Sequence, residues 1–155
     1  MKAAVLSKSG GTPGFADFPD PILKNDEKLV VMKTASIKNL DKMKVAGSHY
    51  DSYQNFPTVV GVDGVGILED GSRVYMNAPG GVMAEKVAVS PKWMIAIPDN
   101  LDDVTAAAIP NPAISAWLSL ELKGKLKAGD SVTDYGRYWN YRKTGSSNCT
   151  SSWSR

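Results

Sequence analysis

The sequence predicts a mainly β protein with a few short helices, built as a small, partly open barrel or a sandwich. Three observations lead there. Short runs rich in Val, Ile and Met, separated by Gly- and Pro-bearing turns, recur roughly every eight to twelve residues as far as Ile97. From Leu101 the apolar spacing becomes helical. After Val132 the character changes again: the stretch 133–155, TDYGRYWNYRKTGSSNCTSSWSR, contains no Ala, Val, Ile, Leu, Met or Phe. Residues 1–132 are therefore expected to form one domain, and residues 133–155 an aberrant polar and aromatic tail of irregular structure.

Each element has a local reason. Met1–Ser7 alternates and reads as an opening strand, and the GGTPG and DFPDP stretches at 10–14 and 17–21 read as turns. KLVVMKTAS at 28–36 is a strand. Ile37, Leu40, Met43 and Lys44 have helical spacing, so 37–46 is expected as a short helix. The loop 47–57 carries Tyr50, Tyr53 and Phe56. Short strands follow at 58–62, 64–69, 72–76, 84–89 and 93–97, with a turn at Asp70–Gly71. LDDVTAAAIP at 101–110 opens a helix with acids at its start, where the helix dipole favours them. Pro112–Lys123 is a second helix, with Pro early and Gly124 just beyond its end.

Composition narrows the function. A chain of 155 residues with 43% apolar and 22% charged residues suits a soluble globular domain with a real core. No apolar run approaches the roughly eighteen residues of a membrane span, and the N-terminus turns polar too soon for a signal peptide. A single Cys excludes an intrachain disulfide framework and points to a cytoplasmic protein. The net charge of +2 is not a nucleic-acid footprint: Arg137, Arg142, Lys143 and Arg155 stand against Asp134 in the tail, so the basic excess lies there. Neither nucleic acid nor membrane is expected as a partner.

Seven segments, in order, carry a resemblance: MKAAVL, ASIKNLDKMKVAG, PTVVGVDGVGILEDGSRVY, GGVMAEKVAVS, AIPDNLDD, AAAIPNPAISAWLSL and KAGDSV. With these, residues 1–132 resemble the N-terminal GroES-like domain of the medium-chain dehydrogenase/reductase family, in its zinc-free, quinone-oxidoreductase-like branch. The resemblance implies a partly open β-barrel, an alcohol-dehydrogenase-like ancestry and hydride transfer from NADPH to a quinone or conjugated carbonyl. In the family, GDSV leads into a Rossmann domain whose glycine-rich turn cradles the nucleotide pyrophosphate. The tail does not continue that way. Shifting its possible codons by one base permits Leu-Ile-Met-Gly-Ala-Thr-Gly and then an amphipathic helix, so residues 133–155 are expected to be a frameshift product. The Rossmann domain is then missing, with no NADPH bound by this chain.

The resemblance also assigns residues. Zinc-dependent relatives carry a Cys three residues before the Asp of the helix turn and a His-Glu pair after the proline loop; those positions are Lys38, Val62 and Asp63 here, and one carboxylate does not hold zinc. No metal site is expected. The turn 37–41 lies where the family faces the nicotinamide, which implies catalytic roles for Lys38 and Asp41 and cofactor contact by Asn39. The alternatives are a solvated Lys38 and an Asp41 that caps the helix. Tyr50, Tyr53 and Phe56 either line the substrate cleft, where aromatic faces suit flat quinones and enones, or close the end of the barrel. Asn111 and Ser115 are implied in cofactor binding, with a helix cap as the alternative for Asn111. His49 reads as a surface residue, Trp117 as core, and Gly61, Gly64 and Gly66 as bulge or turn glycines. Two function classes stay open: part of an NAD(P)H-dependent oxidoreductase, or a folded fragment acting only as a binding or assembly module, with self-association through an exposed strand edge.

Overall fold

The computed structural model describes residues 1–24, 26–127, 130–133 and 150–152. It forms two compact units, residues 1–111 and 112–155. The first consists of two open sheets rather than a closed barrel. Strands β1 Lys2–Leu6, β2 Gly14–Asp17 and β4 Thr58–Val59 form one, in the order β2-β1-β4. Strands β3 Lys28–Thr34, β5 Asp63–Ile67, β6 Arg73–Asn77, β7 Lys86–Val89 and β8 Met94–Ala96 form the other, in the order β7-β3-β5-β6-β8. All these pairings are antiparallel. The segment before β7 joins the sheets. Ala84 bridges to Ala3, the Ala4 N–H donates to Met83 O at 2.8 Å, and the Met32 N–H donates to Glu85 O at 2.9 Å.

Alternation along the strands explains the burial. In β6, Val74 and Met76 point inward and join Val30, Ala78, Val82, Val87 and Val89 in the main core. The opposite face packs Val65 with Ile97, Ala106 and Ala107, and Tyr75 leans on that group. Gly64 and Gly66 stand in β5 because β3 runs too close for a side chain. A Cβ at Gly64 would lie 2.8 Å from Thr34 O, and one at Gly66 would overlap the Val30 methyl and approach Val31 O at 2.7 Å. The register against β3 is irregular between Met32 and Thr34, opposite these glycines, which fits their reading as bulge positions.

Strand β2 lies between the turns expected at 10–14 and 17–21, where the sequence marks no strand. All four of its residues are exposed at a sheet edge, so no buried alternation marks it in the sequence. Helix α1 is Asn39–Ala46 and ends on Gly47 at φ 76°, a left-handed cap that Gly adopts freely. Helix α2, Asp103–Ala108, is capped by Asp102, whose carboxylate accepts the Thr105 N–H at 2.9 Å. Arg73 pins its start: Nη2 lies 2.7 Å from Asp103 Oδ1.

Helix α3, Pro110–Leu118, begins two residues earlier than expected and runs into a π-helical turn at Ser119–Lys123. Ile114, Leu118 and Leu122 are exposed along it. Of the stretch expected to be irregular, Thr150–Ser152 forms β10, paired antiparallel with β9 at Ser131–Thr133. The rest of that expectation, including Cys149, lies outside the described residues. No helix among the described residues is long and apolar enough to cross a membrane.

Candidate functional site

The turn into α1 and the start of β5 bring three polar side chains together. Lys38 is the last residue before α1, and its side chain is only 10% exposed. Its Nζ donates to Asp63 Oδ1 in a close ion pair and to Ser36 O at 3.3 Å. Asp63, 2% exposed, is the first residue of β5. Its other oxygen, Oδ2, accepts the Tyr75 hydroxyl of neighbouring β6 at 2.8 Å. An ammonium carries three donors. Two of Lys38's are used, and the third meets no acceptor among the described residues. Burial and the hydrogen bond to a carboxylate both push the Tyr75 hydroxyl well above the ordinary tyrosine range, so it stays a neutral donor.

Lys38 is thus not a solvated surface lysine. A pair this buried has lost hydration on both partners, and removing one partner costs about 3–5 kcal/mol because the other charge is left unmatched. The Asp63–Tyr75 link was not legible in the sequence, which offers Asp63 only as a lone acid. The signal is in the strand pattern: Val74 and Met76 face the main core, so Tyr75 faces the side on which Val65 and Asp63 lie.

Asp41 is 4% exposed and fully engaged with backbone. Oδ2 accepts the Lys38 N–H at 2.8 Å, closing the first turn of α1, and Oδ1 accepts the Val62 N–H at 2.9 Å. It caps the helix and ties it to the residue before Asp63. Asn39, beside Lys38, is exposed at the start of α1.

The loop aromatics divide. The Tyr53 hydroxyl accepts the Gly61 N–H at 3.0 Å, the Lys44 ammonium sits 5.2 Å from its ring centre, and burial raises its hydroxyl above the ordinary range. Phe56 is partly buried ahead of the cis bond to Pro57. Tyr50 is 95% exposed, with its ring 4.1 Å from that of His49. Tyr53 anchors the loop, and Tyr50 is the face it offers outward. Asn111 and Ser115 lie four residues apart, on one side of α3. Asn111 sits inside the helix rather than capping it, and Ser115 O accepts the Ser119 hydroxyl at 2.7 Å.

No three His, Cys, Asp or Glu side chains cluster as a metal's ligands among the described residues. At the position of interest the Asp63 carboxylate is already paired with an ammonium. What the arrangement supplies is a nearly buried cation with one N–H uncommitted among the described residues, suited to an oxygen that gains negative charge.

No protein-family model matches the sequence. The chain is 29% identical over 137 residues to a mycocerosic acid synthase-like polyketide synthase of Mycobacterium tuberculosis, a match covering 78% of this chain and 6% of that protein. It is 28% identical over 135 residues to the 2-methylene-furan-3-one reductase of Solanum lycopersicum, covering 75% and 34%. The solved quinone oxidoreductase of Thermus thermophilus, also studied as its complex with NADPH, superposes with a TM-score of 0.76 at 28% identity over 84% of this chain and 43% of that one. This chain therefore spans less than half the length of these relatives. The fold is the GroES-like domain of medium-chain dehydrogenases/reductases. Within that family the chain is similar to quinone oxidoreductases and to an enone reductase.

Proposed function

We propose that this chain is the substrate-facing portion of a zinc-independent, NAD(P)H-dependent reductase of quinones or conjugated carbonyls, and that it does not turn over unless a nucleotide-binding domain is supplied. The observation that carries the reading is the Lys38 ammonium, nearly buried on Asp63, with its third N–H meeting no acceptor among the described residues. Such a donor stabilises the negative charge that grows on a carbonyl oxygen as its conjugated carbon is reduced. In this reading Tyr50 offers an aromatic face to a flat substrate, Tyr53 and Phe56 support the loop behind it, and Asp41 holds the Lys38 backbone. Asn39, Asn111 and Ser115 remain candidates for the nicotinamide end of the cofactor.

The likeness to a quinone oxidoreductase studied with NADPH supports that nucleotide as the reductant. The described residues do not fit the whole cofactor. A dinucleotide pyrophosphate needs a glycine-rich turn at a helix N-terminus. The described part of residues 1–127 offers none. The all-exposed β2 edge supports self-association as a further expectation.

Titration with NADPH, followed by fluorescence and by absorbance at the nicotinamide band, tests the reading. The 155-residue chain is expected to show neither binding nor oxidation of NADPH. The protein encoded after a one-base correction at the tail is expected to bind NADPH and reduce 1,4-naphthoquinone or an enone. Turnover by the uncorrected chain contradicts the need for a second domain. A corrected protein that binds NADPH yet reduces neither substrate class overturns the substrate reading and favours a non-catalytic binding module.

A further inference from the structure

Asp63 and Tyr75 explain more than the location of Lys38. Quinones and enones are electrophiles. A neutral primary amine adds through its lone pair to the β-carbon: the N–C bond forms, the C=C π pair moves toward oxygen, and the amine's proton ends on the resulting enol. A lysine that reacted this way would be lost, along with the site. An ammonium has no lone pair to give and acts only as a hydrogen-bond donor.

We propose that Asp63, oriented by Tyr75, is a positioning residue that keeps Lys38 a donor to the substrate oxygen and guards it against alkylation by its own substrate. This rests on the quinone or enone reading above. Both Asp63 oxygens are committed, one to the Lys38 ammonium and one to the Tyr75 hydroxyl. The groups facing Lys38 are Asp63 from β5, Tyr75 from β6 through Asp63, and Asp41 of α1 through the Lys38 backbone N–H. They amount to one anion in contact, a second anion held on backbone, and a neutral hydroxyl, with no competing cation bonded to Asp63 among the described residues. The other lysine pairs among the described residues are of a different kind: the partners of Lys2, Lys44 and Lys86, which are Asp17, Asp51 and Asp20, are 80%, 71% and 56% exposed. Exposed pairs of that sort hold weakly.

The experiment uses the whole chain of 155 residues without nucleotide. It is incubated at about pH 8, where lysine adducts form slowly, with 2-cyclohexen-1-one, and adducts are mapped by peptide mass spectrometry over time. Exposed Lys8 and Lys92 serve as internal references. In the wild type, Lys38, nearly buried and held in its ion pair with Asp63, is expected to be modified about tenfold more slowly than these references. Asp63→Asn keeps the shape and removes the contacting charge, and is expected to raise the Lys38 rate about tenfold relative to Lys8. Asp63→Glu restores the carboxylate and should return the rate toward wild type, which a purely packing role for Asp63 does not predict. Tyr75→Phe is expected to raise the rate about threefold. The proposal is overturned if wild-type Lys38 reacts as fast as Lys8, or if Asp63→Asn leaves its rate unchanged. Should Asp63→Asn fail to give a cooperative thermal transition, Tyr75→Phe decides, and an unchanged Lys38 rate there overturns it equally. The outcome is independent of turnover. A protected Lys38 in a corrected protein that reduces no quinone sinks the functional reading only, whereas an unprotected Lys38 in an active one sinks this inference only.

Discussion

The two faces of β5 meet the rest of the molecule in opposite ways. On one face Gly64 and Gly66 present no side chain, and Val30, Val74 and Met76 fill the space above them. On the other, Asp63 holds a lysine and a tyrosine, and Val65 packs under α2. The first face works by shape alone: the backbones of β3 and β5 approach so closely that one methylene has no room. The second works by charge, and nearly every polar atom on it has an assigned partner. A strand of five residues therefore serves a core that tolerates no added volume and a site that tolerates no lost charge.

That contrast is open to direct test by chemical or thermal denaturation. The largest effect is expected on the charged face. Asp63→Ala leaves Lys38 buried without a counter-ion and should cost about 3–5 kcal/mol. On the glycine face, Gly66→Ala forces a methyl against Val30 and the Val31 carbonyl, neither of which is a flexible chain end. It should cost about 3 kcal/mol, at the upper end of overpacking penalties. If Gly66→Ala proves harmless, β3 and β5 can separate and the shape argument fails.

Tyr75→Phe removes one hydrogen bond to a carboxylate that keeps its ion pair. With the tyrosine half-buried, the loss should be about 1.5 kcal/mol. The smallest effect belongs to the loop. Tyr50→Ala should change stability by less than about 0.5 kcal/mol, since its ring is almost wholly exposed. In a corrected, nucleotide-binding protein the same substitution should raise the KM for a flat quinone severalfold. An unchanged KM would remove Tyr50 from the substrate face.

The two faces were also unequally legible in the sequence. The short apolar runs in KLVVMKTAS and SRVYM mark β3 and β6, and the glycines of GVDGVGI read as bulge or turn positions, because each of these signals depends on near neighbours. The edge strand β2 went unread. Its four residues bury nothing, so the pattern that betrays a strand is absent. The site was half visible. Lys38 and Asp41 share one helix start, and resemblance pointed to them. The Lys38–Asp63 pair joins residues 25 apart, and Tyr75 enters from a third element, a juxtaposition that exists only once β5 and β6 have paired in register. The reading of Asp41 as a possible cap rests on chemistry within one turn, and the structure accounts for it there. Its second bond, to Val62, is a product of topology.

That second bond has an entropic side. Asp41 fixes the backbone of Lys38 with one oxygen and the backbone of Val62, the residue before Asp63, with the other. Both ends of the ion pair therefore grow from main chain that is already immobile relative to each other before the side chains meet. What remains to be ordered is one flexible lysine stem and one short aspartate, a fraction of the freedom that two separately mobile segments would surrender. A jig of this kind narrows the distribution of ammonium positions rather than deepening the well in which the ammonium sits. The reach and direction of the spare N–H are thus set by a carboxylate that makes no contact with it.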